Sequence, residues 1–174
     1  MTKFKAKKEN FKLTQFKLKD GKGIINYSYL HDENPHKDIR EYNSVKIPLL
    51  IHDDLKSLLN QLREYVLKEY YIEPTPENLM QVRVNSIKIE NRLCVIGCEF
   101  DTLHGGTVNL TTSKIMLDES HTELESEIDA ILDSIITEVY DYIFNCKTSA
   151  PELFEEVEES KVVSGLNGNL QKVG

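Results

Sequence analysis

The feature that most constrains this chain is an irregularity that occurs twice. In Phe11-Lys12-Leu13-Thr14-Gln15-Phe16-Lys17-Leu18 apolar residues alternate, and the alternation changes phase between Leu13 and Phe16. Val82-Arg83-Val84-Asn85-Ser86-Ile87-Lys88-Ile89 slips at the same place, with Arg83 and Lys88 standing where the first stretch has Lys12 and Lys17. A period-2 pattern marks a half-buried strand, and a slip sends the following side chains to the other face unless a bulge absorbs one residue. Its recurrence points to one folding unit used twice.

The two copies continue in parallel. Turns are expected at Asp20-Gly21-Lys22-Gly23 and at Glu90-Asn91-Arg92, followed by second strands over 24–30 and 93–100. The second of these carries Cys94, Ile96, Cys98 and Phe100 on one face. Third strands are expected at 44–47 and 107–117, the latter after a hairpin at Gly105-Gly106. Each copy then ends in an amphipathic helix. Leu55, Leu58, Leu59, Leu62 and Val66 form one stripe, with Asp53 as its expected cap. Leu124, Ile128, Ile131, Leu132, Ile135, Val139 and Ile143 form the other, preceded by a capping-box spacing at Ser120 and Glu123. Pro74 and Pro76 are expected to stop the first helix.

A single-sided helix needs an apolar surface, and a shared antiparallel sheet supplies one for both. The expected fold is therefore α+β: about six mostly antiparallel strands from two β-β-β-α repeats, with two helices on one face. A basic arm over 1–9 leads into one domain over 10–147, with repeats at about 10–72 and 80–145. An acidic, flexible tail over 148–174 is expected to follow.

Charge is unevenly distributed. The net value of −8 combines eight lysines in residues 1–23 with fourteen carboxylates in residues 118–160. With helices on the apolar face, Lys12, Lys17, Lys19, Lys46, Arg83 and Lys88 are expected to gather on the opposite face or its edges, near Tyr27, Tyr29 and Tyr42. The slips leave the facing of each one open. Basic, aromatic-bearing sheets of this kind bind single strands, whereas a plain solvated face is the simpler alternative.

Other chemistry finds little support. Cys94 and Cys98 lie about 13 Å apart along a strand, too far to pair, and read as small buried hydrophobes. The loop from His31 to Asp38 has histidines and carboxylates but no matching ligands elsewhere, so it reads as a solvated turn and no metal is expected. His52, His104 and His121 fall at element boundaries without a partnered nucleophile. The glycines match neither phosphate-binding fingerprint. No cofactor, no enzymatic activity and no membrane span are expected, and a cytoplasmic location follows from the absence of an apolar leader.

The stretch from Glu138 to Lys147, with Tyr140, Tyr142 and Phe144, followed by Pro151-Glu152-Leu153-Phe154, resembles the C-terminal end of small uncharacterised bacteriophage proteins. In those a glycine-lysine pair follows the helix; here Cys146 precedes Lys147. The Leu153-Phe154 end is also similar to peptides that dock on bacterial sliding clamps, with Ala150 where those have glutamine. These resemblances imply a phage accessory protein of DNA replication or recombination. DNA is then the expected ligand of the basic residues. A replication or host protein is the expected partner of Pro151, Leu153, Phe154, Glu155 and Glu156. The alternatives are a phage inhibitor of a host defence or regulatory protein, and a virion component.

Overall fold

The computed structural model describes residues 7–30, 40–117 and 123–149. Strands β1 (Phe11–Lys19), β2 (Lys22–Leu30) and β3 (Arg40–Leu50) are followed by helix α1 (Asp53–Glu69). A short helix α2 (Pro76–Gln81) leads into β4 (Val82–Glu90), β5 (Leu93–Asp101), β6 (Thr107–Thr111) and β7 (Ile115–Met116), and α3 (Glu123–Phe144) ends the series. The strands form one antiparallel sheet in the order β3-β2-β1-β4-β5-β6, with β7 also on β5.

The duplication is visible residue by residue. Register shifts fall between Leu13 and Gln15 in β1 and between Val84 and Ser86 in β4, at the two slips in the sequence pattern. Two-residue turns with positive φ at both positions follow, at Asp20-Gly21 and Asn91-Arg92, as twisted hairpins require. The halves meet where β1 pairs with β4 through Gln15–Lys88, Phe16–Ile87 and Lys17–Ser86. Phe16 and Ile87 occupy equivalent places in their own halves, so a pseudo-twofold axis passes through that pair. Beyond these three pairs the two strands diverge.

The third strands share a second irregularity. In β3, residues 47–49 face one residue of β2, between the Lys22–Leu50 and Ile24–Lys46 pairs. In the second half residues 112–114 interrupt the pairing with β5, dividing the single strand expected over 107–117 into β6 and β7. Thr112 holds the break, donating its N–H to the Ile96 carbonyl at 2.9 Å and accepting the Ile96 N–H on its hydroxyl at 3.0 Å.

One core joins the helices to one face of the sheet. Phe16, Ile25 and Tyr27 of the first half pack in the same cluster as Ile87, Ile96 and Cys98 of the second, with Leu59 and Leu62 of α1 and Leu132 and Ile135 of α3. Burial of Cys94 and Cys98 pushes their thiols up, to about 12 and about 11, so both stay protonated and inert. The helix ends interlock. Tyr142 of α3 accepts the Gly23 N–H at 3.2 Å and donates to the Leu49 carbonyl in the β3 bulge. Tyr70, at the end of α1, donates to the Thr111 carbonyl at 2.6 Å, beside the equivalent break.

Three local expectations are corrected. His52, rather than Asp53, caps α1, its Nδ1 accepting the Asp54 N–H at 3.2 Å; Asp53 sits in the first turn and binds Lys56 at 2.8 Å. The segment after Pro74 is not simply a break, because Thr75 accepts the Asn78 N–H and starts α2 with Pro76 in its first turn. Tyr27 and Tyr29 are buried on the helix side, where their rings lie 5.8 and 5.7 Å from that of Phe144. The proposed capping box at Ser120 and Glu123 falls outside the described side chains.

Helix α3 ends in a left-handed residue, Cys146 (φ +55°), with the Lys147 N–H returning to the Asp141 carbonyl at 3.2 Å. Glycine is the residue that adopts this conformation without strain. Cys146→Gly is therefore expected to stabilise the fold by about 0.5–1 kcal/mol, less than the full relief because glycine also loosens the unfolded chain. Thermal melting should show a rise of about 2–4 °C per kcal/mol.

Candidate functional site

Helices cover one face of the sheet, and the bulges decide which side chains occupy the other. Without an extra residue at Thr14, Lys12 and Lys17 would point to opposite faces. With it, Lys12, Lys17 and Lys19 all alternate with the buried Phe11, Leu13 and Phe16 or the half-buried Leu18, and all three are exposed. The second bulge does the same for Arg83 and Lys88, exposed beside buried Val82, Val84, Ile87 and Ile89. Lys46 reaches this face through its pairing with Ile24, which in turn pairs with Lys17. Lys22 joins them opposite Lys19. All six basic positions expected from the sequence thus share the face opposite the helices, which no element among the described residues covers.

They are not electrostatically equal. Arg83 forms a fork on Asp101, with Nη2–Oδ1 at 2.8 Å and a second Nη1–Oδ2 contact, and reaches Glu99 at 3.4 Å. These partners hold Arg83 above its usual range and Asp101 below the usual carboxylate range. Lys88 pairs with Glu90 at 3.2 Å. The second half of the face is therefore largely neutralised. Lys12, Lys17, Lys19, Lys22 and Lys46, all from the first half, make no ion pair among the described residues. Cross-strand register, which the sequence does not carry, made this division.

Between these lysines lies a polar floor. Thr14 donates to the Asn26 carbonyl at 2.8 Å, Asn26 Nδ2 donates to Gln15 Oε1 at 3.0 Å, and Ser44 Oγ donates to Asn26 Oδ1 at 2.8 Å. This network spans β1, β2 and β3 and ties the Gln15 side-chain oxygen to Asn26. Where β1 leaves β4 a groove of about 480 Å³ opens, edged by Lys12, Lys88, Asn91 and Tyr42. Tyr42 is 78% exposed at the β3 edge and is the one of the three expected tyrosines on this face. Gln15, Asn26, Ser44 and Lys22 were missed as site residues; the bulge at Thr14 was the signal that could have placed Gln15.

The arrangement offers ammonium groups for phosphate oxygens, amide groups for base edges and one aromatic plane for stacking. Among the described residues no group of three or more His, Cys, Asp or Glu side chains could hold a metal ion. His52 is a helix cap and His104 an exposed turn residue. His121, the loop from His31 to Asp38 and the tail residues Pro151, Leu153, Phe154, Glu155 and Glu156 lie outside the described residues. No helix among them is long and apolar enough to cross a membrane.

No protein-family model matches this chain, and neither a curated protein nor a solved structure was found to match it.

Proposed function

We propose that the open face binds single-stranded nucleic acid, in the role of a non-enzymatic accessory protein of phage DNA replication or recombination. One observation carries the reading: two bulges turn strand cations onto the single face opposite the helices, where, among the described residues, five lysines have no carboxylate partner. Those lysines neutralise phosphates. The groove beside Tyr42 takes an unstacked base, which a duplex does not present, and Gln15 and Asn91 line it with amide groups. The net charge of −8 opposes a general attraction to polyanions, so binding depends on this local patch.

The test is fluorescence anisotropy with labelled single- and double-stranded oligonucleotides across a salt series. Neutralising four or five phosphates gives a slope of log K against log salt of about −3 for single strands. Replacing Lys12, Lys17 and Lys46 together by glutamine is expected to cut the slope to about −1 and to weaken binding on the order of 100-fold at low salt. Tyr42→Ala is expected to cost about 1–3 kcal/mol on single strands and little on duplex. Absence of binding at low salt, or affinity indifferent to the three lysines, overturns the reading.

A further inference from the structure

We propose that the acidic segment Glu152–Glu159 of this same chain docks along the outer edge of β3 and over the adjoining lysines, occupying the face when no nucleic acid is present. The chain itself points there. After α3, Thr148 forms an antiparallel bridge with Ile51, and the Ser149 N–H donates to the Leu50 carbonyl at 3.1 Å. Among the described residues β3 ends the sheet, and this is its side away from β2. The approach is held in place by Lys147, which binds Asp54 at 2.7 Å and Glu138 at 2.8 Å.

Direction follows from the bridge. An antiparallel neighbour that passes Ile51 and then Leu50 is heading back along β3, towards Lys46 and Tyr42. An edge strand presents unpaired backbone groups that can receive such a neighbour. Continuing that register places Leu153 and Phe154 opposite Lys46 and Val45, and the following glutamates beside Ser44, Asn43 and Tyr42.

Charge and reach agree with direction. Glu152, Glu155, Glu156, Glu158 and Glu159 follow Ser149 with no basic residue among them. They stand three to ten residues beyond it, a reach of roughly 10–35 Å when extended. Lys46 lies on β3 itself, and Lys17 lies two strands further in, about 10 Å away. Tethering gives such a segment a local concentration on the order of millimolar. The inference takes its functional meaning from the nucleic-acid reading, but the contact itself can be measured without any nucleic acid.

The experiment uses the full chain with Cys146→Gly and Glu156→Cys, carrying a nitroxide on the new thiol; the buried Cys94 and Cys98 remain unlabelled. At low salt the amide NMR signals of Lys12, Lys17 and Lys46 are expected to lose more than about half their intensity, while the outer surfaces of α1 and α3 keep theirs. At about 1 M salt, where charges are screened within about 3 Å, the signals should recover. In a second full-length variant the five glutamates become glutamine. If the tail covers the face about 90% of the time, that variant binds single strands about tenfold more tightly. Uniform signals, or attenuation confined to the helix side, overturn the docking, and equal affinities of parent and glutamine variant overturn the competition. Attenuation without nucleic-acid binding by either protein supports the docking and overturns the nucleic-acid reading instead.

Discussion

Phe16→Ala is expected to lower the unfolding free energy by about 3–5 kcal/mol, a large part of the roughly 5–15 kcal/mol that a domain has in total. Phe16 is fully buried and lies on the pseudo-twofold axis, paired with the equally buried Ile87. Its ring fills the seam at which the two halves join, and that seam has only three residue pairs in its ladder. A cavity there cannot close by moving one half, because both helices rest on the same cluster. Urea unfolding of Phe16→Ala, of Ile87→Ala and of the double variant measures this. The single changes should be strongly non-additive, with a coupling of about 0.5–3 kcal/mol, since each side chain is the other's direct neighbour. A loss below about 1 kcal/mol for Phe16→Ala would show that the seam is loosely packed.

Tyr142→Ala is expected to destabilise by a similar amount, for partly different reasons. The ring stands against Gly23 so closely that a Cβ added there would lie 2.6 Å from Tyr142 Cε1. Its hydroxyl joins the Gly23 N–H to the Leu49 carbonyl. Burial pushes the phenol up, so it remains a donor at ordinary pH. Removing the ring costs about 3–5 kcal/mol in packing, and an orphaned Gly23 N–H adds about 1–3 kcal/mol. Tyr142→Phe isolates the second effect, and Gly23→Ala should cost about 1–3 kcal/mol by crowding the same ring. Chemical denaturation of the three variants separates these contributions. Oligonucleotide affinity of the folded Tyr142→Phe protein should be unchanged, because Tyr142 lies on the covered side of the sheet.

Much of this architecture could be read from residue order, because its decisive irregularity is local. An extra residue in an alternating strand disturbs the pattern whether or not its partners are known, so the bulges at Thr14 and Asn85 were visible in Phe11–Leu18 and Val82–Ile89. The break at 112–114 was not, since it depends on Thr112 bonding to Ile96 sixteen positions away. The burial of Tyr27 and Tyr29 follows from sharing parity with Ile25, yet tyrosines in a polar-looking strand invite the opposite reading. At the candidate site, the shared facing of the six basic residues was legible up to the effect of each slip. Their pairing was not. Arg83 is neutralised by Asp101, a residue eighteen positions away that only the β4–β5 register brings near. The helix start at Thr75-Pro76 was overlooked because the prolines read as the stop of the preceding helix, which in fact ends earlier, at Glu69, with the left-handed Tyr71 behind it.

The reciprocal reach of the two helix ends has a consequence for how this chain comes apart. Tyr70 closes on the strand break of the second half, and Tyr142 on the bulge and hairpin of the first. Each half thus carries the clasp for the other, as two hands grip each other's wrists. A cut in the connector between α1 and α2 would leave two fragments that are each missing a lid, yet able to restore the whole by reassociating. Proteolysis there would nick the protein without releasing either piece.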